Sequence, residues 1–456
     1  MDRRGENMTC PRIMIAAISS GSGKTTITCA ILKALKDAGN NVASFKCGPD
    51  YIDPMFHSEV LGVNSSNLDL FLTSENTCKY LLSKNSINAD ISIIEGVMGY
   101  YDGISTDTLY SSYHLAKVTN TPVVLVVNCK GMSCTVGAII NGMANFRNES
   151  NIKGVILNNT SEKMYPIYKE IIERETNVAV YGYMPSLPEC NFESRHLGLI
   201  TSQELQDIDV KLKKLANVAG ETIHIDGIIK LANTAPKLEY DDIKVQNKYS
   251  VTIAVAKDKA FCFYYKDALE LLSRLGAKII YFSPLSEKEM PKCDGFILGG
   301  GYPEIYLEEL SKNQSMLADI KAKIESGIPH IAECGGFMYL FDAIEDFNMV
   351  GAISGEVFMT KKLSRFGYVT ITANRDNLLC KKGETINAHE FHYSDTTNNG
   401  SNFTAKKPYG NRSWGCIIAD EKRFVGYPHI HFLGNIKYAE NFLNKCQSNK
   451  RNDKNG

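Results

Sequence analysis

The sequence predicts an α/β protein of two domains, the first of them a P-loop domain built on a parallel sheet. The chain has 456 residues, more than one hydrophobic core usually holds, so two domains of roughly 200 residues each are expected. In both halves apolar strand-like runs alternate with amphipathic stretches, and this alternation is typical of βαβ units. A polar, proline-containing stretch separates the two series and indicates an interdomain linker.

The first series of elements lies before position 232. The expected strands and helix, in chain order, are Arg12–Ala17, the helix Thr25–Ala38, Val42–Lys46, Ile91–Glu95, Val123–Asn128 and Val155–Asn158. Each strand-like run is short and almost wholly apolar, as in a parallel sheet covered on both faces. We therefore assign residues 1–232 to the first domain and residues 233–249 to the linker.

The second series begins directly after the linker. Its expected elements are Val251–Val255, the helix Tyr264–Leu275, Lys278–Tyr281, Gly295–Leu298 and His330–Ala332. Residues 250–446 are assigned to this second α/β domain. The last residues, 447–456, are rich in Lys, Asn and Asp, and this composition predicts a disordered tail.

Composition and charge are those of an ordinary globular protein. Hydrophobic residues make up 44%, charged residues 22%, and the net charge is -1, so neither nucleic acid nor a membrane is predicted as a partner. The polar N-terminus lacks the apolar core of a secretory signal, which favours a cytoplasmic location. The 13 cysteines occur without a CxxC pair, so reduced thiols are expected rather than disulfides, zinc or iron–sulfur sites.

A phosphate-binding loop is predicted between the first strand and the first helix. Its residues are Ser20, Gly21, Ser22, Gly23, Lys24, Thr25 and Thr26. In this context backbone N–H groups surround phosphate, Lys24 reaches the outer phosphates and the Thr25 hydroxyl can ligate Mg²⁺. Ile18 stands where the usual first glycine would be, but the strand–loop–helix context still predicts an ATP site.

Four acidic residues are predicted at the same edge of the sheet. Asp50 and Asp53 follow the second strand, Glu95 ends a buried strand, and Asp102 lies just beyond it. Ligands bind at the carboxyl ends of parallel strands, so we expect these acids to face a substrate or a phosphorylated intermediate. Asp50 and Glu95 are the candidates for Mg²⁺, acting with Thr25. Taken singly, each aspartate is also a common turn former.

A cysteine at a tight turn is the second candidate centre. Cys334 lies between a strand-like and a helix-like run and is followed by two glycines, which is the arrangement of a nucleophile elbow. Its base is predicted to be His429, with His431 as the alternative. The stretch Gly299–Glu304 follows another strand, and its backbone N–H groups are candidates for an oxyanion hole.

These motifs resemble the cobyrinic acid a,c-diamide synthase family of the cobalamin pathway. The stretches that carry the resemblance are Ala16–Thr26, Lys46–Pro54, Phe56–His57, Glu95–Gly103, Gly299–Glu304, Glu333–Leu340, Phe366–Tyr368 and His389–Ser394. The resemblance implies a P-loop parallel-sheet domain similar to dethiobiotin synthetase, followed by a class I glutamine amidotransferase-like α/β domain. It implies cobyrinate, glutamine and ATP as small-molecule partners, with Mg²⁺ as the cofactor.

The resemblance also implies a reaction and a set of residue roles. ATP would phosphorylate a side-chain carboxylate, and ammonia from glutamine would displace the phosphate, first at the c and then at the a acetate. Lys24 and Thr25 would serve ATP and Mg²⁺. The four acids would serve the metal, acyl-phosphate formation or the substrate, and Cys334 would be the glutaminase nucleophile.

Two departures from the family pattern leave questions open. In ordinary class I glutaminases a glutamate stands two residues after the catalytic histidine, but here His431 follows His429. The third member of the triad is therefore unassigned. Ala388 also stands where glycine is expected before His389. The metal of the tetrapyrrole and the oligomeric state stay open as well, with a homodimer among the alternatives.

Three alternative functions accompany the main hypothesis. Cobyric acid synthase shares both domain types, but the acidic stretches Gly48–Asp53 and Glu95–Gly103 argue against it. The related enzyme that amidates nickel sirohydrochlorin is hardly distinguishable by motifs. A P-loop switch ATPase with a noncatalytic amidotransferase-like domain is the alternative from another class, and the intact pair of Cys334 and His429 argues against it.

Overall fold

The computed structural model describes residues 10–190 and 202–455, and it divides the chain into two compact units. The first unit extends to Ile243 and the second begins at Lys244, except that Phe71–Thr73 is grouped with the second unit. The division falls inside the stretch predicted as a linker. The first part of that stretch packs on the first unit, where Asn76 Nδ2 donates to the carbonyl of Asp241 at 2.9 Å.

The described residues of the first unit form a seven-stranded parallel sheet. The strands are β1 Arg12–Ala17, β2 Val42–Cys47, β3 Asn64–Leu68, β4 Ile91–Glu95, β5 Val123–Asn128, β6 Ile152–Asn158 and β7 Ala179–Met184. The helices are α1 Lys24–Asp37, α2 Ile52–Met55, α3 Glu75–Asn85, α4 Ser112–Val118, α5 Thr135–Asn145, α6 Tyr165–Glu175, α7 Ser202–Thr222 and α8 Ile225–Ala232. The strands and the first helix that the sequence predicted in this unit are all present.

The strand order β3-β2-β4-β1-β5-β6-β7 positions the first candidate site. Strand β1 lies at the centre, with β4 on one side and β5 on the other. Every residue of β1 and β4 is buried, as expected for central strands covered by helices on both faces. Because all strands run in the same direction, the loops after β1, β2 and β4 meet at one edge, which is where such sheets bind ligands.

The second unit is built around a six-stranded sheet of order β10-β8-β11-β13-β23-β22. The strands of the unit are β8 Val251–Ala256, β9 Phe261–Phe263, β10 Ala277–Phe282, β11 Gly295–Leu298, β12 Gly300–Gly301, β13 His330–Glu333, β14 Phe341–Ile344, β15 Phe347–Asn348, β16 Ile353–Met359, β17 Arg365–Ala373, β18 Thr385–His392, β19 Ser394–Thr396, β20 Phe403–Lys406, β21 Ser413–Cys416, β22 Ile418–Ala419, β23 Arg423–Gly426 and β24 His429–Ile430. The helices are α9 Lys266–Leu275, α10 Leu307–Lys312, α11 Gln314–Glu325, α12 Gly335–Tyr339 and α13 Ile436–Asn455. Only β22 pairs antiparallel in the six-stranded sheet.

Two larger sheets of the second unit, and a two-stranded sheet of β9 and β12, were not predicted from the sequence. A four-stranded sheet has the order β15-β14-β16-β19, and an antiparallel five-stranded sheet has the order β21-β20-β17-β18-β24. Their strands alternate between buried and exposed residues, so they lack the continuous apolar runs that marked the parallel strands. The five-stranded sheet matters for function because it delivers β24, which begins with His429.

The C-terminal segment corrects one prediction. Helix α13 continues through Asn455, whereas the composition predicted disorder from residue 447. The helix is held from both sides of that position, because Cys446 is buried and Lys450 Nζ bonds to Asp294 Oδ2 at 3.0 Å and to the carbonyl of Ser250 at 2.8 Å. Among the described helices, none combines the length and apolar character that crossing a membrane would require.

A buried arginine ties together the first unit. Arg12 is fully buried and donates to the carbonyl oxygens of Thr119, Pro236 and Cys10 at 2.7, 2.8 and 2.9 Å. Its Nε also bonds to the Thr121 hydroxyl at 3.2 Å. These contacts join the start of β1, the turn after α4 and the segment after α8, so one side chain satisfies buried backbone groups from distant parts of the chain.

Arg12→Met should therefore destabilise the first unit by roughly 3 kcal/mol, because it leaves several buried carbonyl groups without a donor. The single tryptophan of the chain, Trp414, lies in the second unit, so its fluorescence reports on that unit alone. In urea titrations of Arg12→Met, we expect the unfolding transition followed by circular dichroism to move to lower urea concentration. The transition followed by Trp414 fluorescence should stay in place. Arg147→Met, which removes an arginine packed on the Phe146 ring, is the matched control and should change neither.

Candidate active sites

The phosphate loop lies between β1 and α1, with Gly23 in the left-handed conformation. Gly23 has a φ of 93°, and a Cβ there would lie 2.1 Å from Asn158 Nδ2. Asn158, at the end of β6, donates to the carbonyl of Ser22 at 2.8 Å. The neighbouring hydroxyls of Ser19 and Ser22 are 3.1 Å apart. Only glycine combines this φ with such a close neighbour, so the loop shape depends on Gly23.

Lys24 is a nearly buried cation at the start of α1. Its Nζ donates to the carbonyl of Met98 at 2.9 Å. Burial lowers the pKa of Lys24, and the charge of Lys46 lowers it further, while Glu95 and Asp53 partly offset this. A bound anion would favour the protonated lysine, which is the electrostatic setting expected for a phosphate-binding residue.

A buried network of charges lies beside this loop. The Thr25 hydroxyl donates to Glu95 Oε1 at 2.7 Å, and Lys46 Nζ bonds to the same oxygen at 2.9 Å and to Asp53 Oδ2 at 2.5 Å. The register places Lys46 of β2 directly beside Glu95 of β4. Burial alone would lower the pKa of Lys46, but the charges of Glu95 and Asp53 raise it well above its ordinary value. The lysine thus stays protonated and compensates two buried acids.

The other oxygen of Glu95 is not satisfied by the protein. Glu95 Oε2 is buried and has no hydrogen-bond partner among the described residues; His57 Nε2 lies 3.6 Å away. Burial lowers the pKa of His57 to about 4, so this imidazole is neutral at physiological pH. Its Nδ1 lies 2.8 Å from the Ser44 hydroxyl. A buried carboxylate oxygen without a partner beside a threonine hydroxyl suits a cation.

The other two predicted acids shape the loops around this network. Asp50 Oδ1 accepts the backbone N–H groups of Ile52 and Asp53 at 2.8 and 3.2 Å. Burial, and then the charge of Asp53, raises the pKa of Asp50 to about 6. Asp102 Oδ2 accepts the N–H of Gly99 at 2.8 Å, in the loop after β4. Asp50 therefore lies beside Asp53, while Asp102 bonds within its own loop.

The second site is a nucleophile elbow at the end of β13. Cys334 has a φ of 47°, which is a strained value for a residue with a side chain. It stands between the last residue of β13 and the first of α12, and the N–H of Gly336 donates to the carbonyl of Gly299 at 2.9 Å. The predicted elbow is present, and the glycine-rich loop after β11 lies against it.

His429 lies between two groups at this elbow. Its ring hydrogen-bonds to Cys334, and its Nδ1 is 3.1 Å from Glu333 Oε2. Burial opposes its charge, but the hydrogen bonds to Cys334 and Glu333 outweigh it and raise the pKa of His429 to about 10. A Cβ on Gly300 would lie 2.6 Å from His429 Cε1, so glycine is required there for the ring to occupy its position.

His431 has different surroundings from His429. Its ring is buried, its Nδ1 accepts the N–H of Leu433 at 3.1 Å, and it packs on the ring of Tyr265 at 4.8 Å. Burial lowers the pKa of His431 to about 4, although Asp267 works in the opposite direction. These contacts are those of a neutral imidazole that terminates a short turn.

Two known domain families match this chain, one in each of its two units. The CobQ/CobB/MinD/ParA nucleotide binding domain matches residues 13–199, and the CobB/CobQ-like glutamine amidotransferase domain matches residues 252–436. Three relatives named cobyrinate a,c-diamide synthase come from Clostridium tetani, Clostridium acetobutylicum and Caldanaerobacter subterraneus. Their identities are 44%, 43% and 42%, over 95%, 94% and 96% of this chain and 99% of each relative.

The chain belongs to the cobyrinate a,c-diamide synthase family. This confirms the family, the fold class and the glutamine-dependent ligase class that the motifs predicted. ATP as a cosubstrate is supported by the nucleotide-binding domain. The same membership argues against a P-loop switch ATPase with a noncatalytic second domain.

Three residues of the two candidate sites were not predicted from the sequence. Lys46 joins Glu95 to Asp53, Asn158 shapes the phosphate loop, and Glu333 contacts His429. A lysine in a strand with no other charged residue was a signal for Lys46, since lysine is hardly ever buried without a partner. Glu333 is the residue immediately before the nucleophile, but a contact with a histidine 96 positions later cannot be inferred from adjacency alone.

Lys24→Ala should weaken ATP binding by about 2 kcal/mol, roughly thirtyfold in Kd, because it removes a charge-assisted contact with phosphate. Isothermal titration with ATP measures this directly. Lys33→Ala is the matched control, since Lys33 pairs with Asp37 further along the same helix. If Lys24→Ala bound ATP as tightly as the Lys33 variant, this loop would not hold the phosphates.

Proposed function

We propose that this protein converts cobyrinate to its a,c-diamide, using ATP to activate each acetate carboxylate and glutamine as the nitrogen donor. The observation that carries the proposal is that one chain holds two chemically different centres. A phosphate loop stands beside a compensated acid cluster, and a strained cysteine is hydrogen-bonded to a histidine. The names of relatives that match nearly the whole chain support the substrate.

The first centre suits carboxylate activation. A carboxylate oxygen of the substrate attacks the γ-phosphorus of ATP, the bond to ADP breaks, and an acyl phosphate forms. Lys24 would stabilise the charge on the transferring group, since its cation stands at the loop where the phosphates bind. Ammonia then attacks the acyl carbon, phosphate leaves, and the nitrogen loses a proton. Asp50, Asp53 and Asp102 are proposed to position the substrate and the acyl phosphate.

The protein groups at this centre also fit Mg²⁺. No three Asp, Glu, His or Cys side chains within residues 10–190 and 202–455 form a metal cluster by themselves. Mg²⁺ commonly uses one or two protein oxygens and takes the rest from phosphates and water, so the Thr25 hydroxyl and Glu95 suffice. Asp50, which lies beside Asp53, remains among the proposed Mg²⁺ ligands. Held by these residues, Mg²⁺ would supply positive charge that offsets part of the negative charge of the phosphates.

The second centre suits the release of ammonia from glutamine. The Cys334 thiol passes its proton to His429, and the thiolate attacks the amide carbon of glutamine. Backbone N–H groups of the Gly299–Glu304 loop and of Gly335 are proposed to stabilise the oxyanion. The nitrogen leaves as ammonia after taking the proton from His429. Water, activated by His429, then hydrolyses the thioester to glutamate and restores the cysteine.

The remaining features of the proposal concern the whole protein. We assign the amide synthetase to residues 1–232 and the glutaminase to residues 250–446. A cytoplasmic location and a homodimer are proposed on the sequence alone. Small molecules, rather than nucleic acid or a membrane, are the proposed partners.

The substrate is tested by mass spectrometry of the products. Purified protein is given ATP and glutamine with either cobyrinate or nickel sirohydrochlorin, in parallel reactions. We expect cobyrinate to gain one amide and then a second, with the singly amidated species rising first and then disappearing. Faster double amidation of nickel sirohydrochlorin would contradict the proposed substrate, and no amidation of either compound would contradict the proposed activity.

Cys334→Ala should abolish synthesis from glutamine and leave synthesis from ammonium salts, because free ammonia bypasses only the thioester step. Both activities are measured as amide formation by mass spectrometry. Cys134→Ala, at an exposed cysteine of the first unit, is the matched control and should retain both. Equal loss with the two nitrogen donors in Cys334→Ala would contradict the division of labour between the two centres.

A further inference from the structure

The third member of the glutaminase triad is unassigned by the sequence, because His431 occupies the usual place of the glutamate. The geometry points to Glu333, the residue immediately before the nucleophile, as the positioning residue that orients His429 and stabilises its protonated form. This inference rests on the proposed glutaminase function. It differs from the ordinary class I pattern because the carboxylate comes from the nucleophile strand and not from the histidine strand.

The fold explains how two adjacent residues can serve the two ends of one imidazole. Strands β13 and β23 are paired so that Glu333 lies beside Gly426, and the N–H of Cys334 donates to the carbonyl of Gly426 at 2.9 Å. Three residues after Gly426 the chain reaches His429. The histidine is thereby delivered next to the end of β13, where Glu333 and Cys334 both reach it.

Both carboxylate oxygens of Glu333 are engaged. Glu333 Oε2 is 3.1 Å from His429 Nδ1, and Glu333 Oε1 accepts the N–H of Ile430 at 3.2 Å. The second bond holds the carboxylate in a fixed orientation, so the first bond selects the histidine tautomer with hydrogen on Nδ1. Nε2 is then the ring nitrogen that takes the proton of Cys334, which is the arrangement that a cysteine–histidine nucleophile requires.

The charged groups around His429 favour Glu333 as the residue that stabilises its protonated form. Among the residues that the structure describes, the titratable groups shown to interact with His429 are Cys334, Glu333 and, on the paired strand β18, His389. Burial, followed by the charge of His429 and then that of Lys407, lowers the pKa of His389 to about 3, so His389 is neutral. Glu333 is thus the carboxylate that can balance the imidazolium formed when Cys334 gives up its proton.

Glu333→Gln is the most direct test because it keeps the shape of the side chain. The amide oxygen can still accept the N–H of Ile430, but the NH₂ group then faces Nδ1 as a donor and favours the wrong tautomer. We expect glutaminase kcat to fall roughly a hundredfold or more, with little change in the KM for glutamine. Synthesis from ammonium salts should be unchanged, which shows that the chain is folded.

Two further measurements separate a positioning role from a structural one. Loss of the anion lowers the pKa of His429, so the alkaline limb of the glutaminase pH profile should move to lower pH by about one unit or more. The rate at which iodoacetamide alkylates Cys334, followed on its own peptide by mass spectrometry, should fall as well. Glu384→Gln is the control, since the Glu384 side chain is exposed and accepts the N–H of Lys381, and it should match the wild type in each assay.

The outcomes discriminate between this inference and the proposed function. If the wild-type protein hydrolyses glutamine and Glu333→Gln keeps its kcat and its alkaline limb, the assignment of Glu333 is overturned. Equal loss of the ammonium-dependent activity, or a fall in kcat with an unchanged rate of Cys334 alkylation, would also overturn it. If the wild-type protein itself fails to hydrolyse glutamine, the proposed function fails instead.

Discussion

The carboxylate of Glu95 is the constraint around which the nucleotide unit is arranged. A charged group without access to water must be compensated by neighbouring charges or hydrogen bonds. Here the parallel register of β2 and β4 places Lys46 beside it, and the first turn of α1 adds the Thr25 hydroxyl. The phosphate loop, the acid cluster and the helix are therefore coupled through one buried oxygen. Asp53 joins the same network through Lys46.

The second unit also contains a buried group whose charge must be compensated, and this group is His429. His429 is buried like Glu95, and its charge is stabilised because the ring hydrogen-bonds to both Cys334 and Glu333. In both units a buried charged group is brought to a strand end by sheet register and meets the N-terminus of a helix there. This shared arrangement explains how strand ends in the two units support two unrelated chemistries.

The sequence predicted those parts of the fold that rest on local pattern. The central strands are continuous apolar runs, the phosphate loop is a contiguous motif, and Cys334 is marked by the glycines that follow it. Lys46, Asn158 and Glu333 were missed because they act through strand pairing, which no local pattern records. The tail was predicted from composition as disordered, yet the contacts of Lys450 with Ser250 and Asp294 hold it in a helix.

The central claim is that glutamine nitrogen and ATP phosphate meet on one activated carboxylate. It is tested most directly by giving the enzyme cobyrinate labelled with ¹⁸O in its acetate carboxylates, together with glutamine labelled with ¹⁵N in the amide, and analysing the products by mass spectrometry. Passage through an acyl phosphate predicts one ¹⁸O in each inorganic phosphate released and one ¹⁵N in each new amide. Unlabelled phosphate formed alongside amidated product, or amides without ¹⁵N, would contradict the account.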